Sequence, residues 1–264
     1  MTREPRAALE DSIMDSMGTE ELQKVHYDRI GTEYESHYGD QCSRQYRERF
    51  INQPMFEGIE LSGMSVLEAM CGNGQTTEHL LSRGAMVTGL DISAAEIDSF
   101  KQRWPSCEAI CGSIFDSGFA SASFDCVAIV GGLHHLHPRL SEAVGEIHRI
   151  LKPGGFFCFA EPFRGSLPDL VRSFWYKHDH LFASNEASVD MKILREGLTK
   201  AFSFDRERRL GNVAYLLVLN SMVFRIPVKL KPLYSPIVMT GESFLNKFLG
   251  KSLSCFVVCQ WRKI

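Results

Sequence analysis

No run in this 264-residue sequence reaches the ~18 consecutive apolar residues that a membrane-spanning helix needs, so stable membrane insertion is excluded. The first residues, MTREPRAALEDS, lack the apolar core of a secretory signal, and the expected location is the cytoplasm. Metal-ribbon spacing is missing too. Cys107/Cys111 and Cys255/Cys259 each enclose three residues, and the eight cysteines are scattered. Free, buried thiols in a reducing compartment are the expectation, with no metal site. Neither a zinc-finger spacing nor an aromatic RNA-binding signature occurs, so no nucleic-acid partner is expected. Internal repeats and low-complexity tracts are absent.

What remains suits one large α/β domain with an insertion. Hydrophobic residues make up 44% of the chain and aromatics 11%, ample for a core. The net charge of −3 hides an asymmetry: residues 1–161 carry 13 Lys+Arg against 24 Asp+Glu, and residues 162–264 carry 16 against 8. A basic C-terminal part is suited to an anionic acceptor, and it leaves peripheral contact with a membrane surface open.

The most informative stretch is VLEAMCGNGQTT, residues 66–77. Val66 and Leu67 end a buried strand, Glu68 sits at its carboxyl end, and Gly72-Asn73-Gly74 makes a tight turn into a helix from Gln75 to Arg83. Such a turn, with the first amides of a helix aimed at a crevice, is a nucleotide-type pocket. Strands follow at 85–90, ending in Asp91, then at 107–111, 126–130 and 156–160, the last closed by Glu161. Helices at 93–103 and 140–151 alternate with them. An acid ending the second strand is placed to accept hydrogen bonds from a ribose diol. The alternation predicts a doubly wound, mostly parallel sheet. Upstream, helices are expected at 20–38 and 43–51, with Pro54 and Gly63 bracketing the approach to the first strand. Lys152-Pro153-Gly154-Gly155 is expected to stop the 140–151 helix. Residues 165–185 show poor periodicity, 190–202 looks helical, and strands are expected at 204–210 and 254–261. The 212–250 stretch is too long for a hairpin loop and predicts a helical insertion.

The series VLEAMCGNGQTT, VTGLDIS, CGSIFD, SFDCVAIVGGLHHL and RILKPGGFFCFAEP resembles, in order and spacing, the class I S-adenosylmethionine-dependent methyltransferases. The likeness is to the small-molecule group near the ubiquinone/menaquinone methyltransferases and covers residues 20–162. It implies a seven-stranded Rossmann-like sheet with an N-terminal helical lid (1–55), a cofactor-binding core (56–162), and a remainder (163–264) carrying a helical cap at about 212–250. In that family Glu68 would help hold the methionine part of S-adenosylmethionine, with backbone at Met70, Cys71, Gly72 and Gly74 lining it. Asp91 would take the ribose hydroxyls, Ile92 would pack on adenine, and Ser113 and Ile114 would flank it. Val130 and Gly131 would face the sulfonium side, and Tyr27 and Tyr34 would close over the methionine end. Two departures stand out: Met70 replaces the family's first glycine, and Ser113 replaces an acid.

The resemblance implies methyl transfer to a small-molecule acceptor, read here as a hydroxyl of an amphiphilic or anionic metabolite. Removing a hydroxyl proton calls for a base. The candidates lie at the ends of strands four and five: His134, His135, His137 and Glu161, with His135 first and His134 next. Arg44, Arg47 and Arg49 could meet the same acceptor. Two alternatives remain at this stage: a protein of this fold that binds the cofactor without transferring methyl, and an NAD(P)-binding oxidoreductase. The second lacks its third glycine, since Thr77 stands there, and shows no Tyr-x-x-x-Lys pair.

Overall fold

The computed structural model describes residues 37–178, 187–248 and 250–264. Seven strands form one sheet in the order β3-β2-β1-β4-β5-β7-β6. They are β1 (Ser65–Ala69), β2 (Met86–Asp91), β3 (Glu108–Cys111), β4 (Phe124–Val130), β5 (Leu151–Pro162), β6 (Phe202–Leu210) and β7 (Phe256–Lys263). β1 to β5 pair in parallel, while β7 runs antiparallel to both β5 and β6. The strand order reverses between β1 and β4, and a crevice opens there beyond the strands' carboxyl ends. This is the Rossmann-like methyltransferase sheet that the motifs implied.

Successive strand residues face opposite sides, and the core divides accordingly. On one face Val66, Cys126, Ala128, Cys158 and Val258 pack with α1 (Gln41–Arg47) and with the insertion's Val218 and Met239. On the other, Leu67, Val127, Phe157, Phe159 and Trp261 meet α4 (Leu140–Ile150) and α6 (Met191–Glu196). α4 carries Leu140, Ala143, Val144, Ile147 and Ile150 inward at helical spacing. The fully buried Trp261 anchors this layer, with Phe157, Phe159 and Phe204 set edge-on to it.

The remaining helices of the parallel half are α2 (Thr77–Ser82) and α3 (Ala94–Arg103), the latter capped by Ser93, whose hydroxyl accepts from Glu96 N. In α2 Leu80 is buried, while Leu81 is only half-buried. Several local expectations need correction. Pro54 lies inside the last helical turn, Gln53–Met55, just ahead of the approach to β1, behind a wide π turn at Glu48–Asn52 that opens the helix ahead of the proline ring, so the upstream helix runs past the expected 51. α4 ends at Ile150, ahead of KPGG as expected, but β5 starts at Leu151 rather than Phe156, opposite Phe124, with a bulge bent at Gly154 (φ +75°). Residues 167–178 form α5 (Leu167–His178). A reciprocal cap starts it, with Ser166 Oγ accepting from Asp169 N and Asp169 Oδ2 accepting from Gly165 N. Its exposed Leu167, Leu170 and Val171 had blurred the periodicity. α6 is capped by Asp190 and ends before Gly197, shorter than the 190–202 helix expected.

β6 and β7 are joined by the insertion, residues 211–255, whose main helix is α7 (Lys231–Phe248). Since Leu210 and Phe256 pair with each other and Phe256 with Pro162, the insertion leaves and re-enters the sheet at the crevice edge. Among the described residues no helix is long and apolar enough to cross a membrane. All eight cysteines are free thiols.

Candidate active site

The glycine turn is braced from within. Glu68 is buried at the end of β1, and its two oxygens accept from Thr76 N (2.9 Å) and Thr77 Oγ (2.5 Å) at the head of α2. Burial raises its pKa to about 7 against these hydrogen bonds. The carboxylate expected to hold a ligand therefore first holds the loop. Cys71 N donates to Leu90 O and Gly74 N to Cys71 O, so two backbone amides of the turn are spent on its own shape. Met70, where the resemblance expects a glycine, has a left-handed backbone, φ +54°. A methionine there carries the left-handed strain that glycine would avoid. Its thioether lies over Gly132, where a Cβ would come within 2.8 Å of the sulfur. Gly74 (φ +81°) has no room for any side chain, because Trp104 packs directly on it. Gly72 is left-handed as well, at φ +51°.

Asp91 ends β2 on the opposite wall. Its Oδ2 accepts from Gly72 N (2.8 Å) and its Oδ1 from Ser93 N (3.0 Å), so one side chain ties the glycine turn to the start of α3. Burial raises its pKa from the ordinary value, opposed first by the backbone hydrogen bonds from Ser93 and Gly72 and more weakly by the nearby His135. Ile92 next to it is half-buried, and Ile114, after β3, is buried. Ser113 Oγ accepts from Phe115 N and so shapes its own turn.

At the ends of β4 and β5 the crevice has an open floor. Val130 is half-buried, and Gly131 (φ +67°) has nothing within 4 Å of where a Cβ would stand. Beside it, Glu161 is completely buried. Its Oε1 accepts from Gly132 N and Leu133 N, both at 2.7 Å, and its Oε2 meets His134 Nδ1 at 2.8 Å. One carboxylate thus fixes both the short 3₁₀ turn Leu133–His135 and the imidazole of His134. Burial lifts its pKa to about 7, the backbone donors and His135 opposing. The buried His135 lies against His134 with ring centroids 3.8 Å apart. Tyr27 and Tyr34 lie outside the described residues.

Sequence reasoning missed what closes the other side. The Lys231 ammonium, fully buried, donates to His37 O (2.5 Å), Asp40 Oδ2 (2.6 Å) and Ser43 Oγ (2.8 Å), clamping α7 to the start of α1. Buried Glu242, also on α7, accepts from Tyr46 OH (2.7 Å), Asn212 N (2.9 Å) and Ala214 N (2.8 Å). Two signals were available. A lysine opening a helix opposes the macrodipole, and Glu242 is the sole acid in residues 211–264. Arg44, Arg47 and Arg49 do not act as one set, because Arg44 and Arg49 are exposed while Arg47 is buried near Glu68.

This donor set suits S-adenosylmethionine: an acid at the end of β2 for a ribose diol, apolar Ile92 and Ile114 beside an adenine plane, and the open floor at Gly131. Among the described residues no three His, Cys, Asp or Glu side chains converge as metal ligands would.

Comparison with known proteins agrees. Residues 67–159 match the methyltransferase-domain family model. An uncharacterized methyltransferase of Synechocystis sp. is 36% identical over 121 residues, 45% of this chain and 57% of that protein. A probable phthiotriol/phenolphthiotriol dimycocerosates methyltransferase of Mycobacterium ulcerans is 36% identical over 106 residues, 39% of this chain and 41% of its own length. The matched segment thus spans less than two thirds of either relative. A SAM-dependent methyltransferase structure from Thermotoga maritima, described as a possible histamine N-methyltransferase, superposes with a TM-score of 0.60. It covers 90% of this chain and 99% of its own at 18% identity, a likeness of fold. Matched motifs, sheet order and crevice together place the α/β core of this chain in the class I S-adenosylmethionine-dependent methyltransferase family.

Proposed function

We propose that this protein transfers a methyl group to a hydroxyl of an amphiphilic or anionic small molecule. The observation that carries the oxygen-directed part is the His134–Glu161 pair, 2.8 Å apart beside the open floor at Gly131. S-adenosylmethionine, when bound, supplies the methyl carbon on a sulfonium. Asp91 would hold the ribose, and the Gly72–Gly74 turn with Val130 and Gly131 would shape the methionine and sulfonium side. Glu161 accepts the Nδ1 proton of His134, which fixes the tautomer and leaves Nε2 as the basic nitrogen. His134 Nε2 would then be the group that takes the proton from the acceptor's hydroxyl while the bound cofactor supplied the methyl group. His134 thereby takes the role first given to His135, whose buried ring backs it. Alignment and exclusion of water supply the rest of the rate.

The acceptor side supports a partly apolar, partly anionic molecule. Tyr215 packs tilted against Phe256 at the crevice edge, ring centroids 5.0 Å apart, and the Arg172 guanidinium donates to Cys255 O (2.8 Å) one residue away. Calorimetric titration with S-adenosylmethionine and S-adenosylhomocysteine comes first, followed by a panel of hydroxylated amphiphiles scored by S-adenosylhomocysteine release. Micromolar binding of both sulfur ligands and acceptor-dependent release are expected. Binding without release on any hydroxyl compound, with release on an amine, would replace the oxygen reading by a nitrogen one. No binding of either ligand to folded protein would overturn the activity.

A further inference from the structure

α7 is amphipathic in the reverse sense for a helix facing water. Its inward face holds polar Lys231, Ser235 and Glu242 beside Met239, all buried. Its outward face shows Leu233 (76% exposed), Ile237 (75%), Phe244 (62%) and Phe248 (69%). These four are spaced by four, seven and four residues and share one side of the helix, roughly opposite the buried set. The helix turns apolar side chains to solvent while its buried polar groups are satisfied by α1 and the first residues of the insertion. The stripe runs on at one end. The 3₁₀ turn Lys251–Leu253, with Leu253 exposed, packs against α5, whose Leu170 and Val171 are exposed too.

Charge says what this face meets. Among residues 211–264 the sole carboxylate side chain, Glu242, is buried, so none repels an anionic surface. Arg225, Lys229 and Lys247 are exposed along the insertion, before and at the end of α7. An apolar helix face on a segment that exposes cations and no carboxylate side chain among its described residues is the pattern of a helix lying in the headgroup plane of an anionic bilayer, with Leu, Ile and Phe reaching the acyl boundary. A protein partner's interface core is normally ringed by mixed polar groups, whereas the exposed charges that the insertion itself contributes among the described residues have one sign.

We propose that the outward face of α7, continued by Leu253 and the exposed start of α5, is an interfacial docking surface for an anionic lipid bilayer. Because the insertion joins the sheet beside Pro162 and Phe256, docking sets the carboxyl-end crevice near the membrane plane rather than facing away from it. The surface stands independently of methyl transfer, since it shares no residue with the crevice.

Flotation of the full chain with vesicles of phosphatidylcholine alone, or of phosphatidylcholine with phosphatidylglycerol, tests it. The parent should float with the anionic vesicles at least about tenfold more than with neutral ones, and lose that preference in high salt. Leu233→Ser/Ile237→Ser/Phe244→Ser/Phe248→Ser should abolish flotation. Lys229→Glu/Lys247→Glu, which leaves the apolar stripe and the fold untouched, should remove the anionic preference by itself. Both variants should bind S-adenosylmethionine as the parent does, which separates failure of this surface from failure of the crevice. A parent that ignores anionic vesicles at low salt overturns the proposal. So does a parent that sediments as a dimer dissolved by the serine variant without floating, because the face would then be a contact between copies of this chain.

Discussion

Asp91→Asn is the substitution that reads the crevice most cleanly. Asn keeps the shape and one carbonyl-type acceptor, so the bond from Gly72 N or that from Ser93 N survives and the glycine turn stays organised. It loses the negative charge that would accept from a ribose diol. Hydrogen bonds to a charged group contribute about 1.5–3 kcal/mol each, so losing one such interaction weakens binding by about 10- to 150-fold. Asp91→Ala should cost at least as much affinity. It should also lower stability by about 1–3 kcal/mol, because two partly buried amides lose their acceptor. The pH dependence has a definite sign. Asp91's pKa is raised on folding, so the folded state binds this proton more tightly than the unfolded chain does. That contribution is complete below the unfolded carboxyl range and is lost as pH rises through the folded value. Asp91→Asn should therefore gain in melting temperature relative to the parent as pH rises through that interval. Calorimetry with S-adenosylhomocysteine, alongside melting curves across pH, reads both effects. An Asp91→Asn dissociation constant within about twofold of the parent's, in a folded variant, would refute the ribose assignment.

Three further outcomes are expected. Glu161→Gln should cut acceptor-dependent turnover by about 10²–10⁴-fold while sparing cofactor affinity, because an amide NH₂ facing His134 Nδ1 forces the other tautomer. With Glu161 raised from 4.5 to about 7, the parent should also lose on the order of 3 kcal/mol between those pH values, and the variant's melting curve should lack that component. Gly74→Ala should destabilise by about 2 kcal/mol or more, measured by urea unfolding, since its Cβ would overlap the Trp104 indole at φ +81°. Asp40→Asn should cost about 3–5 kcal/mol by leaving the Lys231 ammonium buried without its counter-charge, whereas Lys231→Met should cost less, because it removes the buried charge instead.

Much of the core was legible because its signals are local. A strand's apolar run, the glycine turn, the acid ending β2 and the Ser93 cap each announce themselves within a few residues, and their order along the chain fixes the sheet. The site's long-range half was not legible. Glu161 was read as a separate candidate, yet its chemistry depends on His134, 27 residues earlier, and on two backbone amides that only the β4–β5 pairing brings to it. Glu68 carried the right position and an incomplete role, since nothing in the sequence says that Thr76 and Thr77 claim both oxygens. α5 was hidden for a physical reason: with apolar side chains on its exposed side, the helical period loses its contrast.

That same loss of contrast links the insertion to the proposed activity. A cap that only sealed the crevice could keep its polar groups outside and its apolar groups inside, at no cost in buried charge. This one buries Lys231 and Glu242, surrounds each with three donors or acceptors, and leaves Leu233, Ile237, Phe244 and Phe248 in solvent. Burying an ammonium is costly even when paired, and exposing four large apolar side chains on one stripe forgoes the burial that would stabilise the fold. Both costs make sense together if the outward face has its own apolar environment. The inward polar clamps then fix the helix to α1, beside the crevice, so that whatever the outward face rests on is held at a set distance from Gly131 and His134. An acceptor with an apolar portion would reach the proposed base from that surface, and a purely aqueous acceptor would gain nothing from the arrangement.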